Sequence, residues 1–213
     1  MRGMLFSQME PPPGWEDEFD RWYRDEHVPA RVALPGFASA SRYRALDGEP
    51  WHLAVYHLDD LDALSNERYR LLKTSPTPRT RRMLDNAVGF TRYTCVLSSD
   101  TGPPDATPGL LFVVAFEVPE HGRPEFDGWY EEEHVPMLME APGWLRVRRF
   151  LVQPPSDGPQ WTHLALHELR DRRALDAPQR ERARTTARRD ALATNDWFAR
   201  NRRWLYEPIP TDA

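Results

Sequence analysis

The chain has 213 residues, 40% of them apolar and 29% charged, with a net charge of −5. That composition fits a globular protein of one large or two smaller domains rather than a disordered chain. It argues against nucleic acid as the main partner, because phosphate binding needs a basic surface, and no apolar run reaches the roughly 20 residues of a membrane-spanning helix. The opening MRGMLFSQMEPPP lacks the apolar stretch and cleavage site of a signal peptide, and Cys95 is the single cysteine, so no internal disulfide forms and a cytoplasmic location is expected. One basic stretch, Arg180 to Arg189, carries five arginines interrupted by Glu181 and reads as a solvated helix face.

In chain order the first half predicts a strand at Leu5–Met9, a helix at Glu16–His27, strands at Phe37–Leu46 and Trp51–Leu58, helices at Asp60–Leu72 and Pro78–Asn86, and a strand at Phe90–Leu97. The second half repeats the order: strand Leu110–Phe116, helix Glu125–His134, strands Trp144–Val152 and Trp161–Leu169, a helical segment Arg172–Asn195, and strand Asn201–Tyr206. The first helix of each half is expected to stop before Pro29 or Pro136, since a residue preceding proline avoids the α region. Each second strand is entered through a Pro-Gly turn.

The halves are one unit written twice. FDRWYRDEHVP at Phe19–Pro29 matches FDGWYEEEHVP at Phe126–Pro136 at an offset of 107 residues, which becomes 111 where His52-Leu53-Ala54 meets His163-Leu164-Ala165. The predicted organisation is therefore a first repeat over 1–97, a linker over 98–108 whose SSDTGPPDATP is rich in Pro, Gly and Asp, and a second repeat over 109–213. Strand-helix-strand-strand-helix-strand is the ferredoxin-like order. Such a sheet carries its helices on one face and needs a cover for the other, which a second copy supplies. The expected fold class is α+β: two tandem ferredoxin-like units whose antiparallel sheets pack together.

On a helical wheel Glu26 falls within the stripe of Phe19, Trp22 and Tyr23, and Glu133 falls within that of Phe126, Trp129 and Tyr130. A carboxylate aimed at an apolar face needs a partner. Arg42 and Arg149, on the apolar side of each second strand, are the candidates, so Glu26–Arg42 and Glu133–Arg149 are expected as ion pairs. They serve either as staples between helix and strand or as groups that orient a ligand. His27 and His134 end the motif helix, where they either cap carbonyls or act in acid–base chemistry. His52 and His163 open the third strands.

The spacing WYxxEHxPxxxxxPGF, present from Trp22 and largely kept from Trp129, resembles the EthD-like branch of the dimeric α+β barrel superfamily. The resemblance covers most of each half. It implies ferredoxin-like units packed back to back, here within one chain, acting as a monomeric pseudo-dimer or as a homodimer of it. It also implies a small-molecule pocket between sheet and helices. Members include cofactor-independent monooxygenases, cyclases and isomerases, and haem proteins. From it His27 with His52, and His134 with His163, are expected as one catalytic acid–base pair per half. Trp22, Tyr23, Trp129, Tyr130, Arg42, Arg149, Glu26 and Glu133 are expected as ligand-binding residues. The resulting reading is an enzyme of the cyclase/isomerase or cofactor-independent monooxygenase type, acting on an aromatic or polyketide-like compound of secondary metabolism. The alternative is a non-catalytic ligand-binding or stress-related protein. No HExxH, CxxC, GxGxxG or P-loop is present, so neither metal nor nucleotide is expected. His163 and His167, four apart on a strand, would stand roughly 13 Å apart, too far to share an ion. Haem is left open, since one histidine suffices as axial ligand. Haem-binding members usually carry that histidine on the later helix, and neither copy has one there.

Overall fold

The computed structural model describes residues 2–210; the outermost residues of the two predicted repeats, 1 and 211–213, lie outside the described residues. The chain divides into two compact units. Of the described residues, one comprises 2–97, 153–159 and 208–210; the other comprises Ser98–Val152 and Gln160–Glu207.

In the first unit β1 (Gly3–Glu10), β2 (Phe37–Ala45), β3 (His52–Leu58) and β4 (Val88–Thr101) form an antiparallel sheet in the order β4-β1-β3-β2. α1 (Glu16–Trp22) and α2 (Val28–Val32) lie between β1 and β2, and α3 (Glu67–Thr74) and α4 (Pro78–Asn86) between β3 and β4. Side chains alternate across a strand. Leu5 and Met9 thus join Phe19, Trp22 and Tyr23 in a helix-side core, while Phe6 meets Tyr93 on the opposite face. In the second unit β5 (Leu110–Phe116), β6 (Trp144–Asp157), β7 (His163–Leu169) and β8 (Asn201–Pro208) repeat the pattern as β8-β5-β7-β6. Its helices are α5 (Arg123–Trp129), α6 (Val135–Met139), α7 (Pro178–Arg182) and α8 (Ala187–Ala193).

Three expectations change. β4 runs to Thr101, so the segment expected to be a structureless linker begins as strand. The single helix expected over Arg172–Asn195 is broken into a 3₁₀ turn, α7 and α8, with Thr186 capping the last by accepting from the Arg189 amide. Most important, the motif helices do not stop at their prolines. A π-helical turn at Tyr23–His27 joins α1 to α2, and one at Tyr130–His134 joins α5 to α6. In an α-helix the proline ring would press on the carbonyl four residues back. The wider turn, in which the Val28 and Val135 amides donate to the Tyr23 and Tyr130 carbonyls, relieves that clash and carries the helix through.

Candidate functional site

The π turn decides which side chains face the core. In the first unit it turns His27 inward, to 5% exposure against Trp22 and Tyr23 at ring distances of 4.2 and 4.9 Å. Glu26 is moved to the helix flank. There it accepts hydrogen bonds from the hydroxyls of Thr77 and Thr80, the latter at 2.6 Å, and Thr80 Oγ1 in turn accepts the Trp22 indole N–H at 2.9 Å. The expected Glu26–Arg42 pair is therefore not formed. Arg42 reaches Asp20 at 2.6 Å and lies over the Tyr23 ring at 4.3 Å. The second unit corrects the Glu133–Arg149 pair in the same way. Arg149 bonds Asp127 at 2.6 Å and Glu131 at 2.5 Å, over Tyr130 at 4.3 Å. Asp20 and Asp127 stand three residues before the tyrosines and so share their helix face; the guanidinium lies between carboxylate and ring.

The expected histidine pairs are not brought together as partners. His163 packs on Phe126, with Nδ1 at 2.8 Å from the Thr162 hydroxyl and Nε2 at 3.4 Å from Asp127. His52 packs on Phe19 in the same manner, and burial lowers its pKa to about 4. In the first unit a groove is lined by Asp20, Arg24, Val28, Pro29, Arg42, Ile209 and Pro210, and His27 is not among them. Burial, then the charges of Arg31 and Arg42, holds His27 well below the usual histidine range.

The second unit contains a cleft of about 540 Å³ including its open mouth. Trp129, Tyr130, His134, Trp144, His167 and Phe198 form its walls, and Arg180, Arg184, Arg189 and Arg203 also line it. His134 stacks on Trp129 at 4.5 Å, and its Nδ1 lies 3.0 Å from the Ala183 carbonyl. A carbonyl only accepts, so Nδ1 carries the proton and Nε2 keeps a lone pair. Burial, and the charges of Arg149, Arg189 and Arg184, lower its pKa to about 4 against the opposing hydrogen bond to Ala183. His167 is fully buried between the Trp144 indole N–H, which donates to Nδ1 at 3.1 Å, and the Tyr130 hydroxyl, 3.0 Å from Nε2. Among the described residues Arg180, Arg184 and Arg203 meet no carboxylate at ion-pair distance; Arg180 bonds the Leu175 carbonyl instead. Burial and mutual repulsion lower the pKa of Arg180 and Arg203. Three of the five arginines read as a solvated face thus line the cleft, because the break between α7 and α8 turns that stretch toward it.

The two units differ at the cleft. Tyr56 occupies the place of His167, facing Leu5 across the ladder as His167 faces Phe112. Phe37 replaces Trp144, and Tyr69, packed on Phe37 at 5.5 Å, stands where Arg180 opens the second unit. Thr80 follows its helix cap as Arg189 follows Thr186. With Thr80 replaced, the buried Trp129 Nε1 and Glu133 Oε1 have no hydrogen-bond partner among the described residues. The sequence reading missed Trp144, His167 and the four arginines. For Trp144, His167, Arg180 and Arg189 the signal was present as disagreement between the two halves, whereas Arg203 matches Arg92.

Among the described residues no group of three or more His, Cys, Asp or Glu is placed to hold a metal ion, and no helix is long and apolar enough to cross a membrane.

No family model and no curated protein matches the chain. Solved structures do. An anthrone oxidase-like protein aligns at 14% identity with a TM-score of 0.68, over 98% of this chain and 91% of that one. A protein described as a monooxygenase, from Fusobacterium nucleatum, aligns at 9% identity and 0.62 over 98% and 93%; a mutant chlorite dismutase from Candidatus Nitrospira defluvii aligns at 12% and 0.61 over 99% and 92%. The likeness is one of fold: a mixed α+β architecture.

Proposed function

We propose that the cleft of the second unit binds a planar aromatic ketone or phenol as its anion and catalyses proton transfer on it without metal or nucleotide. The observation that carries this reading is the shared cleft of a histidine with a free Nε2 lone pair and four guanidiniums, three of them without a carboxylate. In the resting site burial first, and then the charges of Arg149, Arg189 and Arg184, hold the histidine's basicity down. A substrate anion forming among the arginines offsets those charges, so His134 becomes a better base as the proton moves. The names of the fold neighbours favour oxidation as the outcome. A methylene activated by an adjoining ring and carbonyl gives its proton to His134, and the carbanion's electrons reduce O₂ to a C–OOH group. Protonation and loss of water then leave a carbonyl, so that CH₂ and O₂ become C=O and H₂O. A cyclase or isomerase would use the same anion without O₂.

On this reading the two units are duplicated ferredoxin-like domains, 1–97 and 109–213, joined by 98–108, and the EthD-like motif is retained in both for structure. Arg42 and Arg149 staple helix to strand, with Tyr23 and Tyr130 beneath them. His27, His52 and His163 are packing residues, and His134 alone of the four expected catalytic histidines meets the ligand. The test is oxygen uptake with anthrone as substrate. Wild type is expected to consume O₂ and His134→Gln to lose at least about a hundredfold of that rate; neither uptake nor binding by the wild type would end the proposal. The low basicity of the resting His134 favours a second reading, a non-catalytic carrier of the same anion, for which binding without turnover is the signature.

A further inference from the structure

The hydrogen-bond directions around His167 give Tyr130 a role. An indole nitrogen only donates, so the Trp144 N–H forces His167 Nδ1 to accept. His167 is completely buried, and burial, followed by the nearby charges of His134, Arg149 and Arg180, keeps it well below the ordinary histidine range and thus neutral. Its one proton is therefore on Nε2, which donates to the Tyr130 oxygen at 3.0 Å. That oxygen is used as an acceptor, and the hydroxyl's own proton must find another. Among the described residues His167 is the only hydrogen-bond partner of that hydroxyl. Burial raises the tyrosine's pKa despite Arg149 and Arg203, so the group remains a neutral donor.

Resting on the proposed function of this cleft, we propose that Tyr130 is the hydroxyl donor to the anionic oxygen of the bound substrate, held in that orientation by the Trp144–His167 pair. The arginines supply long-range charge, and Tyr130 supplies the one directed hydrogen bond from a fixed wall, as an oxyanion-hole donor does. Trp144 and His167 are positioning residues. The first unit cannot build the relay: Phe37 offers no N–H, and Tyr56, whose hydroxyl has no hydrogen-bond partner among the described residues, takes the place of the imidazole.

The test uses the full chain with 4-nitrophenol, whose phenolate colour reports ionisation of the bound probe, and ¹⁵N-histidine spectra, which report the tautomer. Wild type is expected to bind the phenolate and to lower the probe's ionisation midpoint. Tyr130→Phe should weaken phenolate binding about tenfold, the loss expected for one hydrogen bond to a charged oxygen. His167→Phe should do the same and His167→Gln should restore part of it, since an amide N–H can still donate to Tyr130. The spectra should show His167 protonated on Nε2 in the wild type and mixed tautomers in Trp144→Phe. Undiminished phenolate binding by Tyr130→Phe, beside weakened binding by Arg203→Gln, would overturn the role of Tyr130 and leave the anion site standing. No binding by the wild type would overturn both. A wild-type His167 protonated on Nδ1 would overturn the relay even if Tyr130→Phe failed to fold.

Discussion

At the scale of single residues the chemistry follows from which proton each imidazole keeps. His134 surrenders Nδ1 to a backbone carbonyl and His167 surrenders its lone pair to an indole, so a half-buried and a buried histidine present opposite faces to one cleft. Their cost is a dependence on pH. His52 and His134 have pKa values lowered to about 4, below the ordinary 6.5 of the unfolded chain. Between these values the unfolded state binds more protons, so stability is full above about pH 6.5 and is lost as pH falls toward 4. Each such histidine is expected to contribute a slope of about 1.4 kcal/mol per pH unit within that window. Urea midpoints measured across it should fall less steeply in His134→Gln. Arg149 is the other residue whose removal should be felt. Arg149→Met leaves Asp127 and Glu131 without their shared cation and is expected to cost about 2 kcal/mol in denaturant unfolding.

Among elements, the second helical layers matter most. α4 brings Thr80 to a chain that runs from the Trp22 indole through the hydroxyl to Glu26, whereas α8 brings Arg189 to the equivalent place and leaves the Trp129 indole and Glu133 without that link. Thr80→Val should therefore destabilise the first unit by roughly 1–3 kcal/mol, the cost of stranding buried polar groups. Arg189→Thr should act in the opposite sense, raising thermal stability while weakening phenolate binding. A melt and a titration on the same variant check both halves of that expectation.

For the whole molecule, the fold was legible because the same order of strands and helices recurs in the two units. Weak strand signals such as Phe90–Leu97 and Asn201–Tyr206 supported each other through the repeat. The continuation of the helices past Pro29 and Pro136 was not legible, since a π turn leaves no mark in a pattern judged at 3.6 residues per turn. That same turn moved Glu26 off the aromatic stripe and hid the role of Asp20 and Asp127. The site was obscured for a different reason. Residues kept in both halves, such as His27, His52 and His163, mostly hold each unit together, although the equally retained Tyr130 and His134 line the cleft. The cleft arises where the copies part: Tyr56 against His167, Tyr69 against Arg180, Thr80 against Arg189. A ligand that fits only the folded cleft should raise the melting temperature with its concentration. Phenolates are expected to do so and neutral or cationic aromatics of the same size are not, with the effect shrinking as salt rises.

The filled and open counterparts of one cavity have a consequence for how this protein could change. Where a site is built by two identical chains, each altered codon is delivered twice, and a substitution that improves one wall spoils its twin. Here Arg180 and Tyr69 are spelled by separate codons. The first unit can keep its aromatic filling as ballast while the second explores new linings, so specificity can drift at little risk to folding.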